Sequence, residues 1–303
     1  MRISYHLGVH GTDDERLVRG LMKDRGVLEA AGLAVPAPRL YRQILPRLAR
    51  SLRGAPAGPD AQQILLDSVL EGDLPHHLIF SHENLLCFPA QAISQQGLYT
   101  NLHHRVVAYS NIFPQEDSVF FLALRNPASL IPALVTKIND GGYDALMGDV
   151  DPLSLRWAPA IRQVFETVPS AALTVWCDED TPLLWPEVLR AVAGLGPEDE
   201  LSADFDVLAQ VMTEDGLTRL KAFFESHPPQ SIAQRRRATS AFLDKYSRPD
   251  ELEMSVELPG WTDDLVEQLT AIYDADCAEV AAIEGVNFLS PAPAPAPAPS
   301  PRS

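Results

Sequence analysis

At 303 residues, 46% of them hydrophobic, the chain is long enough to bury one large α/β core or two small ones. Its 24 Lys and Arg against 41 Asp and Glu leave a formal charge of −17, which argues against non-specific binding to nucleic acid or anionic membranes, since both need clustered positive charge. Cys87, Cys177 and Cys277 are widely separated and odd in number, and no apolar run approaches the roughly 20 residues that span a bilayer, so the expectation is a cytoplasmic globular protein with no disulfide framework, metal site or membrane insertion.

Residues 2–8 read as a strand that runs into His6-Leu7-Gly8-Val9-His10-Gly11-Thr12-Asp13-Asp14-Glu15. A strand entering a helix through a glycine-containing loop is where many proteins bind phosphate, because N–H groups at a helix start point outward with partial positive charge. This loop supplies its own anions. Thr12 and Glu15 have the S/T-x-x-E spacing of a capping box, and Asp13 and Asp14 add carboxylates to the first turn.

Helical patterns follow at 14–31, with Leu17, Leu21 and Leu28 on one side and Gly32 as a cap, then at 37–53 and 59–71. Runs of β-branched and aromatic residues predict further strands at 77–81, 118–124 and 171–177. Beyond residue 180 the pattern is helical almost throughout, near 182–194, 204–226, 230–246 and 263–282. The last helix has Thr262 as N-cap, Asp263 and Asp264 behind it, and an apolar stripe of Leu265, Leu269, Ile272, Tyr273 and Val280. From residue 291 the chain alternates Pro and Ala, a composition that favours extended polyproline II, so 1–290 reads as one domain and 291–303 as a disordered tail. Strands alternating with helices predict a mostly parallel sheet of four or five strands, with helices on both faces and an added C-terminal helical layer.

Two segments resemble the P-loop sulfotransferase superfamily, in particular its bacterial members. His6-Leu7-Gly8-Val9-His10, followed by Thr12, is similar to a family loop reading roughly H-I-G-x-H-K-T-G-T-T, and Phe120-Phe121-Leu122-Ala123-Leu124-Arg125-Asn126-Pro127 is similar to a strand ending in Arg-Asp/Asn-Pro. Ser81-His82-Glu83-Asn84, Val175 to Pro182, and Leu258 to Phe288 extend the likeness. The resemblance implies a sulfotransferase-like fold and, as co-substrate, 3′-phosphoadenosine 5′-phosphosulfate (PAPS), with the backbone of Gly8, His10, Gly11 and Thr12 near the 5′-phosphate. It also implies Arg125 on the 3′-phosphate, where the family's helix serine aligns with Ala133 and Ser129 stands one turn earlier. The loop departs from the family at Gly11, which replaces the lysine that contacts the transferred sulfate, and at Asp13, Asp14 and Glu15, which replace glycine and hydroxyl residues.

Glu83 and His82 fall where a parallel strand delivers its C-terminal end to a binding crevice, so each is a candidate general base toward an acceptor hydroxyl. Arg39, Arg42, Arg47, Arg50 and Arg53 interleave with apolar residues as a surface for a sulfated or phosphorylated acceptor or an acidic partner, and Arg235 to Arg237 resemble a late basic segment of the family. Two functional readings follow: a PAPS-dependent transferase acting on a small-molecule or carbohydrate hydroxyl, or a catalytically inactive relative that binds a ligand or a protein.

Overall fold

The computed structural model describes residues 1–138, 142–248, 258 and 260–291. Its strands are β1 (Arg2–Leu7), β2 (Leu33–Ala34), β3 (His77–His82), β4 (Ile93–Ser94), β5 (Gly97–Leu98), β6 (Asp117–Leu124), β7 (Ala172–Cys177) and β8 (Val286–Leu289). β4 and β5 form a small antiparallel hairpin, and the other six make one sheet in the order β2-β3-β1-β6-β7-β8 with every ladder parallel. The four expected strands are its centre; β2 and β8 make six strands where four or five were expected. Both edge strands are short, two and four residues, so they carry too little periodicity to announce themselves.

Helices α1 (Arg16–Met22) and α2 (Arg25–Ala30) follow β1, and α3 (Pro38–Tyr41), α4 (Ile44–Ser51) and α5 (Pro59–Val69) follow β2. α6 (Leu102–Ser110) precedes β6, while α7 (Pro127–Lys137), α8 (Gly142–Met147) and α9 (Ala158–Thr167) precede β7. α10 (Thr181–Ala193), α11 (Asp206–Val211), α12 (Glu214–Ser226), α13 (Ile232–Tyr246) and α14 (Asp263–Ala281) come between β7 and β8.

Three of the long helices read from the sequence are broken. The 14–31 pattern divides around Asp24, whose carboxylate accepts from the Ser202 backbone N–H at 2.8 Å and the Ser202 hydroxyl at 2.5 Å. The 37–53 pattern divides before Pro46, which has no N–H to give the carbonyl of Arg42 and whose ring would collide with it, so α4 restarts with the proline in its first turn. The 204–226 pattern divides at Thr213, whose hydroxyl caps α12 by accepting from Gly216 N–H. Thr262 caps α14 as expected, accepting from Leu265 N–H at 3.2 Å. The tail expected from residue 291 onward lies, past Pro291, outside the described residues.

Alternating residues of the sheet feed two apolar layers. Ile3, Tyr5, Leu7, Phe80, Phe120 and Val175 face one layer with Tyr41, Leu45, Tyr109, Leu130, Trp157 and Tyr273 from α3, α4, α6, α7, α9 and α14. Ile79, Phe121, Ala123 and Trp176 face the other, against Leu17 and Leu21 of α1 and Leu184, Trp185 and Val188 of α10. A smaller cluster, Leu208, Met212 and Leu220, holds the C-terminal helices α11 to α13 together. The connection leaving β1 thus crosses one face, and those leaving the neighbouring β3 and β6 cross the opposite one. A crevice opens at the carboxyl ends of strands at such a switch. Among the described residues no helix is long and apolar enough to cross a membrane.

Candidate functional site

The loop after β1, the turn after β3 and the start of α7 meet at this crevice. Gly8 permits the approach: a Cβ there would lie 2.8 Å from Glu83 Cα and 3.0 Å from Glu83 N, a contact only a glycine hydrogen accommodates. Gly11 is needed for a different reason. Its φ is +76°, and a Cβ on it would overlap the Nη1 atom of Arg125.

Arg125, at the end of β6, reaches back into the loop. Its Nη1 donates to the Gly11 carbonyl at 2.6 Å and to the His10 carbonyl at 3.4 Å, and its Nε donates to Ser129 Oγ at 3.0 Å. Ser129 in turn donates to the Asn126 carbonyl, and Trp157 Nε1 donates to the Arg125 carbonyl at 3.0 Å, so the residue is fixed at both ends. Arg125 and Ser129, expected on a 3′-phosphate, are instead hydrogen-bonded to each other and donate to protein carbonyls. A loop that cradles phosphate presents N–H groups. Here two carbonyl oxygens converge instead, and a guanidinium satisfies them.

The helix start is also built differently from the capping box expected of Thr12 and Glu15. Thr12 is buried and its hydroxyl donates backward, to the Val9 carbonyl at 2.8 Å. Glu15 stands at the N-cap position with φ +64° and makes no capping hydrogen bond. Asp13 performs that role, its Oδ1 accepting from Leu17 N–H at 2.9 Å. The reason is conformational: left-handed backbone at Asp14 and Glu15 inserts a turn that shifts the helix start beyond the reach of Thr12. Burial raises the Asp13 carboxyl above its ordinary pKa, against the pull of His6.

His10 lies fully buried behind the loop. Its backbone N–H donates to the Tyr99 hydroxyl, and Nδ1 sits 2.8 Å from that same hydroxyl, so Tyr99 donates to Nδ1 while Nε2–H points at Asn84 Oδ1 3.4 Å away. Burial lowers the His10 pKa, which keeps this neutral tautomer. Tyr99, with φ +42°, stacks between His10 and Trp157 and had no signal in the sequence.

His82 and Glu83 are brought to the mouth of the crevice. His82 Nδ1 accepts from Asn84 N–H at 3.0 Å, so its neutral ring carries the proton on Nε2, 4.0 Å from Glu15 Oε1. Burial lowers its pKa, opposed by Glu83 and Glu15. Glu83 is held by Lys137, whose ammonium donates to Glu83 at 2.9 Å and to Asp14 at 3.1 Å. As placed, then, the free lone pair of His82 is occupied by backbone and the Glu83 carboxylate by a cation. Lys137, in the last turn of α7, was not singled out by sequence because nothing local distinguishes it from an ordinary C-terminal helix cation.

Behind Arg125 lies a second layer of charge. Burial pushes the Asp178 carboxyl up to about 7, although Arg125 and Arg16 pull it down. Glu179 accepts from Asn126 N–H at 2.9 Å and from the Tyr273 hydroxyl at 2.8 Å, tying the turn after β7 to α7 and α14. The sulfurs of Cys177 and Cys277, a hundred residues apart in sequence, lie 3.3 Å from each other in the same region. Arg235 and Arg236 of the basic run both pair with Glu187 of α10.

Beside the closed loop is a cleft of about 900 Å³. Its lining carries the carboxylates of Asp13, Asp14, Glu15 and Glu83, the guanidinium groups of Arg42, Arg47, Arg50 and Arg105, and the side chains of His82, Cys87 and Phe88. Tyr41 fixes α3 beside it: its hydroxyl bridges the backbone N–H and C=O of Ser81 at 2.9 and 2.7 Å, which fastens α3 to the end of β3. In comparisons with known proteins, no family model matches this chain, and neither does a curated protein or a solved structure.

Proposed function

We propose that the protein is a ligand-binding relative of the sulfotransferase-like scaffold in which the nucleotide loop is closed from within, and that its ligand occupies the adjoining cleft. The observation that supports this reading is the contact of Arg125 with the carbonyls of Gly11 and His10. The residues do not fit a 5′-phosphate of PAPS. A phosphate in this loop would face two carbonyl oxygens, would have to expel the guanidinium, and would lie beside Asp13 and Asp14. Gly11 also removes the cation that the resemblance would place on a transferred sulfate; a preorganised donor of that kind is typically worth about 3–4 kcal/mol of barrier.

The test is calorimetric titration with 3′-phosphoadenosine 5′-phosphate at physiological salt. No binding tighter than about 0.1 mM is expected, a free energy no more favourable than about −5.5 kcal/mol. Submicromolar binding would overturn the closed-loop reading and restore the transferase, with Arg125 as its first residue to test.

A further inference from the structure

The cleft is lined by four arginines, in a chain whose net charge is −17. Among the described residues, none of Arg42, Arg47, Arg50 and Arg105 makes an ion pair. Arg50 and Arg105 each donate one N–H, to the backbone carbonyls of Pro46 and Leu86. The guanidinium groups of Arg42 and Arg47 have no hydrogen-bond partner among the described residues, and both residues are exposed.

Three of the four carboxylates that line the cleft are engaged elsewhere. Asp14 and Glu83 share Lys137, Asp13 caps α1, and Glu15 faces His82. With 41 acidic residues in the chain, counter-charges for four arginines were abundant, yet among the described residues none is within ion-pair distance of them. Like charges gathered without partners repel, and a bound anion relieves that repulsion; planar guanidinium forks match the oxygens of a tetrahedral oxyanion. Phe88 contributes an independent feature: the residue is 61% exposed and lines the same cleft. A large aromatic left in water at the edge of a charged pocket offers a stacking or apolar contact for a ligand ring.

We infer that this cleft is a binding site for a phosphate or sulfate monoester carried on a ring, with the oxyanion among Arg42, Arg47, Arg50 and Arg105 and the ring against Phe88. The inference deepens the reading of the cleft as the ligand site, while standing apart from whether the loop is closed.

Two probes separate the sources of the oxyanion: 4-nitrophenyl phosphate and 4-nitrophenyl sulfate, titrated calorimetrically into the full chain. Saturable binding of at least one is expected, and the preferred ester identifies which oxyanion the arginines suit. The double variant Arg42→Glu/Arg47→Glu should weaken it tenfold or more, the neutral pair Arg42→Gln/Arg47→Gln less so, and Phe88→Ala several-fold. Arg39→Glu, on α3 outside the cleft lining, should bind as the parent does, which separates a site from the general effect of added negative charge. Absence of saturable binding to the parent, or an equal loss in Arg39→Glu, would overturn the inference. The two readings fail separately: submicromolar affinity for 3′-phosphoadenosine 5′-phosphate that survives Arg42→Glu/Arg47→Glu rejects the closed loop alone, and loss of the nitrophenyl esters alone rejects the arginine site.

Discussion

The Nη1 atom of Arg125 lies 2.6 Å from the carbonyl oxygen of Gly11, and the two residues exclude any side chain at position 11. The φ of +76° there is costly for a residue with a Cβ, and the Cβ would have to displace a guanidinium held by hydrogen bonds to Gly11, His10 and Ser129. Gly11→Ala should therefore destabilise the protein by about 2 kcal/mol or more, read from the urea midpoint. By the same reasoning Gly11→Lys would add a cation to the loop only by displacing the Arg125 guanidinium. An unchanged midpoint for Gly11→Ala would mean that Arg125 does not fill the loop.

Because Asp13 and not Thr12 caps α1, substitutions at Asp13 should divide by hydrogen-bonding capacity. Asp13→Ala removes the acceptor of Leu17 N–H and should cost about 0.5–2 kcal/mol. Asp13→Asn keeps an acceptor and sheds a carboxylate that burial disfavours, so it should be close to neutral near pH 7. Equal losses in the two variants, measured by denaturant titration, would count against this cap.

The pH dependence of stability should show two opposed contributions. Burial lowers His77 to about 4, with Arg2 adding to the effect, so the unfolded chain binds more protons than the folded one between pH 4 and 6.5. Stability from His77 is thus fully present above pH 6.5 and lost as pH falls toward 4; His6, His10 and His82, also lowered chiefly by burial, act in the same direction. Asp178, raised to about 7, does the reverse: the folded state holds its proton, and stability falls as pH rises from about 4 to 7. His77→Gln should flatten the rise in stability between pH 4 and 6.5, and Asp178→Asn should steepen it. Parallel curves for parent and both variants would refute the assignment.

Asp276 is the tether between α14 and α9. Its two carboxylate oxygens accept from the backbone N–H groups of Trp157 and Ala158, at 2.5 and 3.1 Å, so a residue in the last long helix caps a helix more than a hundred residues earlier. Hydrogen bonds to a charged group are worth about 1.5–3 kcal/mol, and Asp276→Ala should lose that much, with Asp276→Asn intermediate. A thermal melt within a degree of the parent for Asp276→Ala would show that α9 is capped by other means.

What the sequence determined by itself was local. Runs of β-branched and aromatic residues at 2–8, 77–81, 118–124 and 171–177 mark the four central strands, because a strand buried between two helical layers must be apolar on both faces. Thr262 followed by Asp263 and Asp264 marks a helix start, because a cap needs only neighbours within three residues. The positions of Gly8, Glu83 and Arg125 at strand ends were legible for the same reason, which is why they meet at one crevice. Tertiary structure decided everything that depends on a partner distant in the chain. It set Arg125 on the carbonyls of residues 114 and 115 positions earlier, drew Lys137 onto Asp14 and Glu83, and passed the cap of α1 to Asp13 through left-handed backbone that a capping-box spacing does not reveal. It also left four arginines lining one cleft with no ion pair among the described residues, since helix periodicity places side chains on a face but says nothing of what stands opposite.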